Sequence, residues 1–329
     1  MKPGPKRQKP GIAARGWWPW FKRAAIAVFF MLLAWLLVTQ ARAVEWSAVL
    51  ATLVNYPPHS LLGAVALVWA SMTLYSTFDL IGRHYTGHTL RAPAVMRITF
   101  ISYLFSLNMG ALVGGVALRF RLYSRLGLAA GTITRVMSLS MLTNWAGYLL
   151  LAGIIFGFYT PALPPDWRIG SAGLQVVGFV LLATSLLYLL LCAVSRQRSF
   201  TIRGHELSLP SLRLSILQLA MGAGNWLLMG GVVFMLLQQK IAFPTVTGVL
   251  LVAAVAGVIT HVPAGLGVLE AVFVVLLSHQ LPKHELLAAL LTYRAIYYLA
   301  PLALAVALYL VAETRAKKKS TPAPHRQTT

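Results

Sequence analysis

The sequence has few acidic residues and almost no cysteine. Its 329 residues include seven Asp and Glu and one cysteine, Cys192, which lies in an apolar run. One cysteine cannot form a disulfide within the chain. Seven carboxylates give little material for acid–base or metal chemistry, and the HExxH, P-loop and GxSxG motifs are missing. We therefore expect a protein that is not an enzyme, with no catalytic residue, no cofactor and no metal.

Long apolar runs fill most of the chain instead. Hydrophobic residues make up 58% of the sequence and charged residues only 11%. No stretch is long and polar enough to form a separate soluble domain. This composition is typical of a polytopic membrane protein.

The net charge is +21, and the basic residues are concentrated in a few segments. Of the 28 Lys and Arg residues, 23 lie in 1–23, 81–97, 118–135, 195–213 and 313–329. Basic loops that alternate with nearly uncharged loops follow the positive-inside rule. We expect both termini in the cytoplasm, where the basic loops contact anionic phospholipids. This alternating distribution argues against a nucleic-acid partner.

Six apolar segments are long enough to be firm transmembrane helices. They are 24–40, 60–80, 134–157, 174–194, 213–237 and 288–312. Two further segments, 98–118 and 243–281, have features of a broken or re-entrant path. The expected fold class is an all-α polytopic membrane protein with six to eight spans. Residues 24–312 form a single membrane domain, and 1–23 and 313–329 are basic, disordered cytoplasmic tails.

The first apolar run permits two interpretations. A basic region precedes Ala24–Val38, and Ala41-Arg42-Ala43 resembles the cleavage site of a signal peptide. The run is long, contains Trp35 and continues into a polytopic protein. We therefore expect an uncleaved first span.

Segment 98–118 has arginine clusters on both sides, so a complete crossing would place one cluster outside. Its centre, Ser106–Gly110 followed by Gly114 and Gly115, contains residues that permit a turn. A re-entrant hairpin that enters from the cytoplasm explains both observations.

Segment 243–281 is interrupted by His261-Val-Pro-Ala-Gly-Leu-Gly-Val-Leu-Glu270. Unwound backbone at membrane depth persists only where protein or a water-filled cavity satisfies its polar groups. Both flanks are weakly charged and read as external, so the segment is a re-entrant hairpin or two short spans with a tight inner turn. Since no basic residue marks that turn, the hairpin is favoured. Two broken elements of opposite orientation are also compatible with an inverted repeat, as in many transporters.

Two opposite charges lie inside apolar runs, Glu270 and Arg294. Glu270 is about one helical turn beyond Gly267, and a carboxylate there must be protonated or paired. Arg294 is the first candidate partner, and Arg119, at the end of the first hairpin, is another. The pair is either a functional site or a structural link that holds the hairpin. Arg294 can alternatively extend to the outer interface among tyrosines.

A second group of ionisable residues is Asp79, His84 and His88. His84 and His88 have the i, i+4 spacing of helical metal ligands. Thr86-Gly87 disfavours a regular helix between them, so we expect ordinary interfacial histidines.

We expect the lipid-binding or translocation residues to come from the two broken segments and the last span. They are Arg119, Arg121, Arg125, Asn108, Gly114, Gly115, His261, Pro263, Gly265, Gly267, Glu270, Arg294, Tyr293 and Tyr297.

Three stretches, Arg119–Gly127, Ser140–Gly147 and His261–Glu270, resemble the YbhN-like family of bacterial inner-membrane proteins. This family shares its domain with the transmembrane region of lysylphosphatidylglycerol synthase, and the resemblance covers about residues 20–315. In the lysylphosphatidylglycerol proteins this domain moves aminoacylated lipid across the bilayer, while a separate soluble domain makes it. The resemblance therefore implies lipid translocation at the bacterial inner membrane.

Two departures from that pattern shape the expected substrate. The sequence has no soluble synthase domain, and its first hairpin ends in arginines without a carboxylate to meet a cationic headgroup. We therefore expect an anionic lipid of the phosphatidylglycerol or cardiolipin type. The alternatives are a scaffold that holds a phospholipid-synthesis enzyme, and an exporter of small molecules or ions driven by an ion gradient.

Overall fold

The computed structural model describes residues 54–159, 170–195, 199–202, 205–208, 210–260, 262 and 265–320, with Ser47 and Ala51. The expected first span, 24–40, lies outside the described residues. So do the basic segment 1–23 and the final residues 321–329.

The first half of the described chain is helical. Its elements are α1 (Pro58–Ser76), α2 (Phe78–Thr86), α3 (Ala92–Met109), a first π-helical segment (Ala111–Ala117), α4 (Leu118–Arg125), α5 (Ala130–Phe158) and α6 (Ser171–Val194). The second half begins with a short strand pair and returns to helices. Its elements are β1 (Ser199–Ile202), β2 (His205–Ser208), α7 (Leu212–Leu236), α8 (Phe243–Thr260), α9 (Val268–Leu277), α10 (Lys283–Tyr293), a second π-helical segment (Arg294–Leu299) and α11 (Ala300–Ser320).

Six helical stretches among the described residues are long and apolar enough to cross a membrane. They are Pro58–Thr86, Ala130–Phe158, Ala172–Val194, Leu212–Leu236, Phe243–Thr260 and Lys283–Thr314. Five of them coincide with spans predicted from the sequence, and the sixth is the first arm of segment 243–281. The fold class of a polytopic helical membrane protein is confirmed, while the side on which each terminus lies stays a prediction.

The loop between α6 and α7 contains structure that the hydropathy pattern does not predict. β1 and β2 pair antiparallel, with Ser199 opposite Ser208. This hairpin of four-residue strands lies in the basic segment 195–213, between two spans.

The first broken segment is a helical hairpin with its turn at Gly110. This glycine has φ 90° and ψ 159°, a conformation that is essentially restricted to glycine. The first π segment then folds back on α3. A Cβ at Gly114 would lie 2.1 Å from the carbonyl carbon of Phe105, so the two arms touch only because the side chain is absent. The hairpin predicted for 98–118 is therefore present, while its entry into the membrane from the cytoplasm stays a prediction.

The second broken segment is also a hairpin. α8 ends at Thr260 and α9 begins at Val268, and the two helices pack together. The ten residues of α9 rise about 15 Å, half of a hydrocarbon core of about 30 Å. An ion pair between Lys240 and Glu285 joins the loop before α8 to the start of α10. The short α9 arm and this ion pair favour the re-entrant interpretation over two complete spans, and the choice between them stays a prediction.

The spans pack closely through glycines. α7 contacts α1 and α5, and α5 also packs against α6. A Cβ at Gly222 would lie 2.1 Å from the carbonyl oxygen of Thr143, and one at Gly147 would lie 2.2 Å from the amide nitrogen of Ala223. These close approaches are typical of membrane helix interfaces, and they give α5 and α7 the fixed positions on which the site depends.

The last helix continues beyond its membrane span. α11 ends at Ser320, so residues 313–320 are helical, and any disordered tail begins later than we expect from the sequence.

Candidate functional site

The second hairpin holds an ion pair with the last span. Glu270 lies in the first turn of α9, and Arg294 is the first residue of the second π segment. The guanidinium donates from Nε to one carboxylate oxygen and from Nη2 to the other, the latter over 2.9 Å. Only 11% of the Arg294 side chain and 16% of the Glu270 side chain are exposed. This bidentate pairing is the strong form of a charge-assisted hydrogen bond.

The unwound backbone of the hairpin completes the site. Gly265 and Gly267 have φ angles of 56° and 78°, in the left-handed region that favours glycine. Arg294 Nη2 donates 2.8 Å to the carbonyl oxygen of Gly265. The guanidinium carbon also lies 5.5 Å from the centre of the Tyr298 ring. The arginine thus satisfies a carbonyl that the broken helix leaves free, as backbone inside a membrane requires.

Arg294 of this pair lies well inside the apolar helical stretch Lys283–Thr314, which is long enough to cross a membrane. Arg294 is 11 residues after Lys283 and 19 residues before Glu313. At about 1.5 Å per residue, it lies about 16 Å from one end of the span and about 29 Å from the other. A polar group at this depth is a functional candidate by default.

A series of buried polar side chains adjoins the second π segment. Ser71 Oγ donates 2.8 Å to Asn225 Oδ1 and lies 2.8 Å from Tyr297 Oη, which is 3.1 Å from Tyr103 Oη. All four residues are buried. The ring of Tyr103 also stacks on Tyr75. The series connects α1, α3, α7 and the second π segment through hydrogen bonds that hydrocarbon cannot supply.

The first hairpin also contacts the second π segment. Asn108 Nδ2, two residues before the Gly110 bend, lies 3.4 Å from the carbonyl oxygen of Tyr298 and donates 2.8 Å to that of Leu104. Both broken hairpins therefore contact the second π segment. Interruptions of this kind in helices are frequent at functional sites.

A second buried ion pair lies nearer the other face. Arg119 Nη1 of α4 is 3.4 Å from Asp79 Oδ1 of α2, and Tyr123 Oη donates 2.7 Å to Asp79 Oδ2. Arg119 also lies 3.4 Å from Ser140 Oγ. Asp79 is fully buried, and it lies about 10 Å before the end of α2 at Thr86. Arg119 thus pairs with Asp79, not with Glu270.

The other two arginines of the predicted cluster lie at the surface. Arg125 forms a bidentate pair with Glu313 of α11, and Arg121 Nη2 is 3.4 Å from the same carboxylate. The sequence-based statement that this hairpin end has no carboxylate nearby is therefore wrong. Asp79 and Glu313 come from distant parts of the chain to meet these arginines.

The remaining predicted site residues fall into three groups. Tyr293 and Tyr297 are fully buried beside Arg294, and their rings stack with centres 5.1 Å apart. Gly114 and Gly115 face α3, where an added Cβ would meet Phe105 and Ser106. These two glycines therefore serve arm-to-arm contact. His261 and Pro263 lie outside the described residues.

Asp79 is paired with Arg119 and Tyr123, and a bend separates it from His88. α2 ends at Thr86, Gly87 has a φ of 65°, and His88 lies beyond that bend. Burial lowers the pKa of His88, and the nearby Arg83 lowers it further. Within the described part of the chain, no group of three or more His, Cys, Asp or Glu could hold a metal ion.

Sequence reasoning missed the polar residues of α1 and α3. Ser71, Tyr75 and Tyr103 read as ordinary members of apolar spans. A signal existed in their spacing, since Ser71, Tyr75 and Asp79 recur every four residues and so lie on one helix face. Ser71 and Tyr103 contact Tyr297 of the second π segment, which is 226 and 194 residues away, and Tyr75 stacks on Tyr103. These distant contacts are not visible in the sequence.

The fold and this site define a polytopic membrane protein in which two broken hairpins meet a buried ion pair on the last span. Residues 23–305 match the family described as the lysylphosphatidylglycerol synthase TM region, and the chain belongs to this family.

Three relatives illustrate the range of similarity. The Inner membrane protein YbhN of Escherichia coli is 44% identical over 92% of this chain and 95% of its own length. The uncharacterised protein slr0712 of Synechocystis is 32% identical over 78% of this chain and 80% of its own. A phosphatidylglycerol lysyltransferase of Staphylococcus haemolyticus is 34% identical over 88 residues, which are 26% of this chain and 10% of that protein.

Proposed function

We propose that this protein moves phospholipid across the bacterial inner membrane, with an anionic lipid of the phosphatidylglycerol or cardiolipin type as its substrate. Membership of the lysylphosphatidylglycerol synthase TM region family and the similarity to an inner-membrane relative support this class of function. The observation that carries the proposal is the Glu270–Arg294 pair at the broken hairpin. A buried pair that only held helices together would not need unwound backbone beside it.

The pair provides a mechanism for headgroup passage. A lipid phosphate offers the same bidentate acceptor geometry to a guanidinium as a carboxylate does. When a phosphate replaces Glu270 on Arg294, the α9 arm loses its ion pair with the last span. Its left-handed glycines then provide the bend about which the arm moves. The acyl chains remain in the bilayer throughout.

The three arginines at the end of the first hairpin, Arg119, Arg121 and Arg125, have different roles. Arg119 is buried against Asp79, and we assign it to holding α4 on α2. The side chains of Arg121 and Arg125 are 52% and 39% exposed. They are the members of the predicted cluster that can collect phosphate from the lipid surface, in competition with Glu313.

The test is headgroup-resolved lipid scrambling in proteoliposomes. Wild-type protein should move phosphatidylglycerol faster than empty vesicles do, and Glu270→Gln and Arg294→Ala should remove that difference. Glu285→Gln is the matched control, because Glu285 pairs with Lys240 outside the membrane core. Equal movement in wild type, Glu270→Gln and Arg294→Ala would contradict the mechanism.

The second candidate is a scaffold that holds a phospholipid-synthesis enzyme and moves no lipid. The similarity to part of a phosphatidylglycerol lysyltransferase favours it. A scaffold needs no water-accessible polar site within the membrane. In a Cys192→Ser background, Leu266→Cys beside the pair should react with an aqueous thiol reagent in a translocator and resist it in a scaffold.

A further inference from the structure

A cleft of about 540 Å³ opens between α2 and α7, away from the Glu270–Arg294 pair. Its lining consists of Thr77, Leu80, Ile81, His84, Ser211, Arg213, Leu214, Leu217 and Met221. None of these residues belongs to the two buried ion pairs. Because α2 and α7 are parts of membrane spans, the cleft opens between helices that contact lipid.

The cleft is polar at one end and apolar along its length. His84 and Arg213 are both exposed and lie near the ends of α2 and α7 at the face that carries the basic loops. Met221 is eight residues beyond Arg213, and Thr77 is seven residues before His84. At about 1.5 Å per residue, both walls extend about 10–12 Å from the polar mouth into the membrane. A polar mouth with apolar walls of this length matches a phospholipid headgroup and the first part of its acyl chain.

The ionisable side chains at the mouth of the cleft are basic. Among the residues that the structure describes, Arg213 and His84 are the ionisable members of the lining, and none of the lining residues is a carboxylate. Asp79, although it is on α2, is fully buried and hydrogen-bonded to Tyr123 on another side of that helix. The mouth therefore favours an anion, and an ordered guanidinium can bind a phosphate bidentately.

We propose that this cleft binds one anionic phospholipid, with the lipid phosphate on Arg213 and His84 and an acyl chain along Leu80, Leu217 and Met221. This inference rests on the proposed function in one respect, the class of ligand, which is an anionic phospholipid. It assigns the lipid a docking site at the basic face that is separate from the Glu270–Arg294 pair.

The test measures lipid binding without transport. Purified protein in detergent is titrated with dioleoyl phosphatidylglycerol or dioleoyl phosphatidylcholine, and bound lipid is counted by native mass spectrometry. Arg213→Gln should weaken phosphatidylglycerol binding about tenfold, as expected for loss of a charged hydrogen-bond donor. His84→Gln should weaken it less. The matched control is Arg97→Gln, which removes an exposed arginine outside the lining and should have no effect.

A second pair of variants tests the apolar part of the cleft. Leu217→Trp fills the space where the chain should lie, and it should also reduce phosphatidylglycerol binding. Leu227→Trp is its control, since Leu227 is on the same helix, is 38% exposed compared with 47% for Leu217, and does not line the cleft.

The outcomes separate this inference from the proposed function. Unchanged phosphatidylglycerol binding in both Arg213→Gln and Leu217→Trp would overturn it. If scrambling still depended on Glu270, the proposed function would stand without this site. Loss of binding in Arg213→Gln but not Arg97→Gln would support the cleft even in a protein that scrambles no lipid.

Discussion

Glu270 and Arg294 stabilise each other in a place where neither charge is tolerated alone. Arg294→Gln leaves a carboxylate with little access to water, and Glu270→Gln leaves a guanidinium in the same position. Removing one partner of a buried pair typically costs about 3–5 kcal/mol, and partial exposure places each single variant near about 3 kcal/mol. The double variant Glu270→Gln/Arg294→Gln has no uncompensated charge, so it should be more stable than the sum of the single effects predicts.

Thermal unfolding of the purified protein in a fixed detergent measures this coupling. The surface pair Lys240–Glu285 is the control, with 41% and 26% of its side chains exposed. Glu285→Gln should cost less than about 1 kcal/mol, as surface pairs do. Additive effects of the two single changes at 270 and 294 would contradict the coupling.

The Glu270–Arg294 pair could be predicted from sequence, whereas the Asp79–Arg119 pair was not. Glu270 and Arg294 lie deep within the last two apolar segments, 243–281 and 288–312, and carry opposite charges. Each is therefore the other's obvious partner. Asp79 lies near the end of a span, close to His84, and sequence proximity suggested an interfacial cluster. The actual partner is 40 residues away on α4, and its position depends on how the first hairpin folds back.

At the scale of elements, the first hairpin depends on two glycines for different reasons. Gly110 has a backbone conformation that other residues avoid, but an added Cβ there would meet no atom within 4 Å. Gly110→Ala should therefore cost about 1–3 kcal/mol through backbone strain alone. Gly114→Ala would place a Cβ against the backbone of Phe105, which has no flexible end to move, and should cost about 3 kcal/mol or more.

The melting temperature and the gel-filtration profile of each variant measure this effect. Gly131→Ala is the control, because Gly131 is an exposed helical glycine of α5 with no atom within 4 Å of the added Cβ. It should be neutral or stabilising by about 0.5–1 kcal/mol. A Gly114→Ala protein as stable as Gly131→Ala would show that the two arms do not touch.

The spans and both breaks were accessible from the sequence because hydropathy and helix-breaking residues report them directly. The two π segments were not, since Ala111–Ala117 and Arg294–Leu299 contain no residue that forbids an ordinary α-helix. Their geometry arises from contacts with other elements, such as the approach of Gly114 to α3. The strand pair β1–β2 was not predicted, because the sequence reasoning considered only the positive charge of the loop 195–213.

At the scale of the whole molecule, polar groups form a series through the membrane interior. The Glu270–Arg294 pair lies in one half, and the Asp79–Arg119 pair lies nearer the other face. Between them are Ser71, Tyr297 and Tyr103, each hydrogen-bonded to another helix or hairpin. An anchor alone would not need this arrangement, because buried polar groups in hydrocarbon are expensive unless satisfied. A headgroup that crosses the protein would meet Arg294 in one half and the exposed Arg121 and Arg125 near the other face.

Two single-cysteine variants can show which end of this series of polar groups lies at the cytoplasmic face. Thr89 lies exposed after α2, and His279 lies exposed in the turn after α9, at the opposite face. In a Cys192→Ser background, a membrane-impermeant maleimide should label His279→Cys in intact spheroplasts and Thr89→Cys only after lysis, because basic loops stay in the cytoplasm. The reverse pattern would place the Arg213 cleft and Arg125 at the outer leaflet, so that lipid would be collected from outside. Labelling of both from one side would contradict the antiparallel order of the spans.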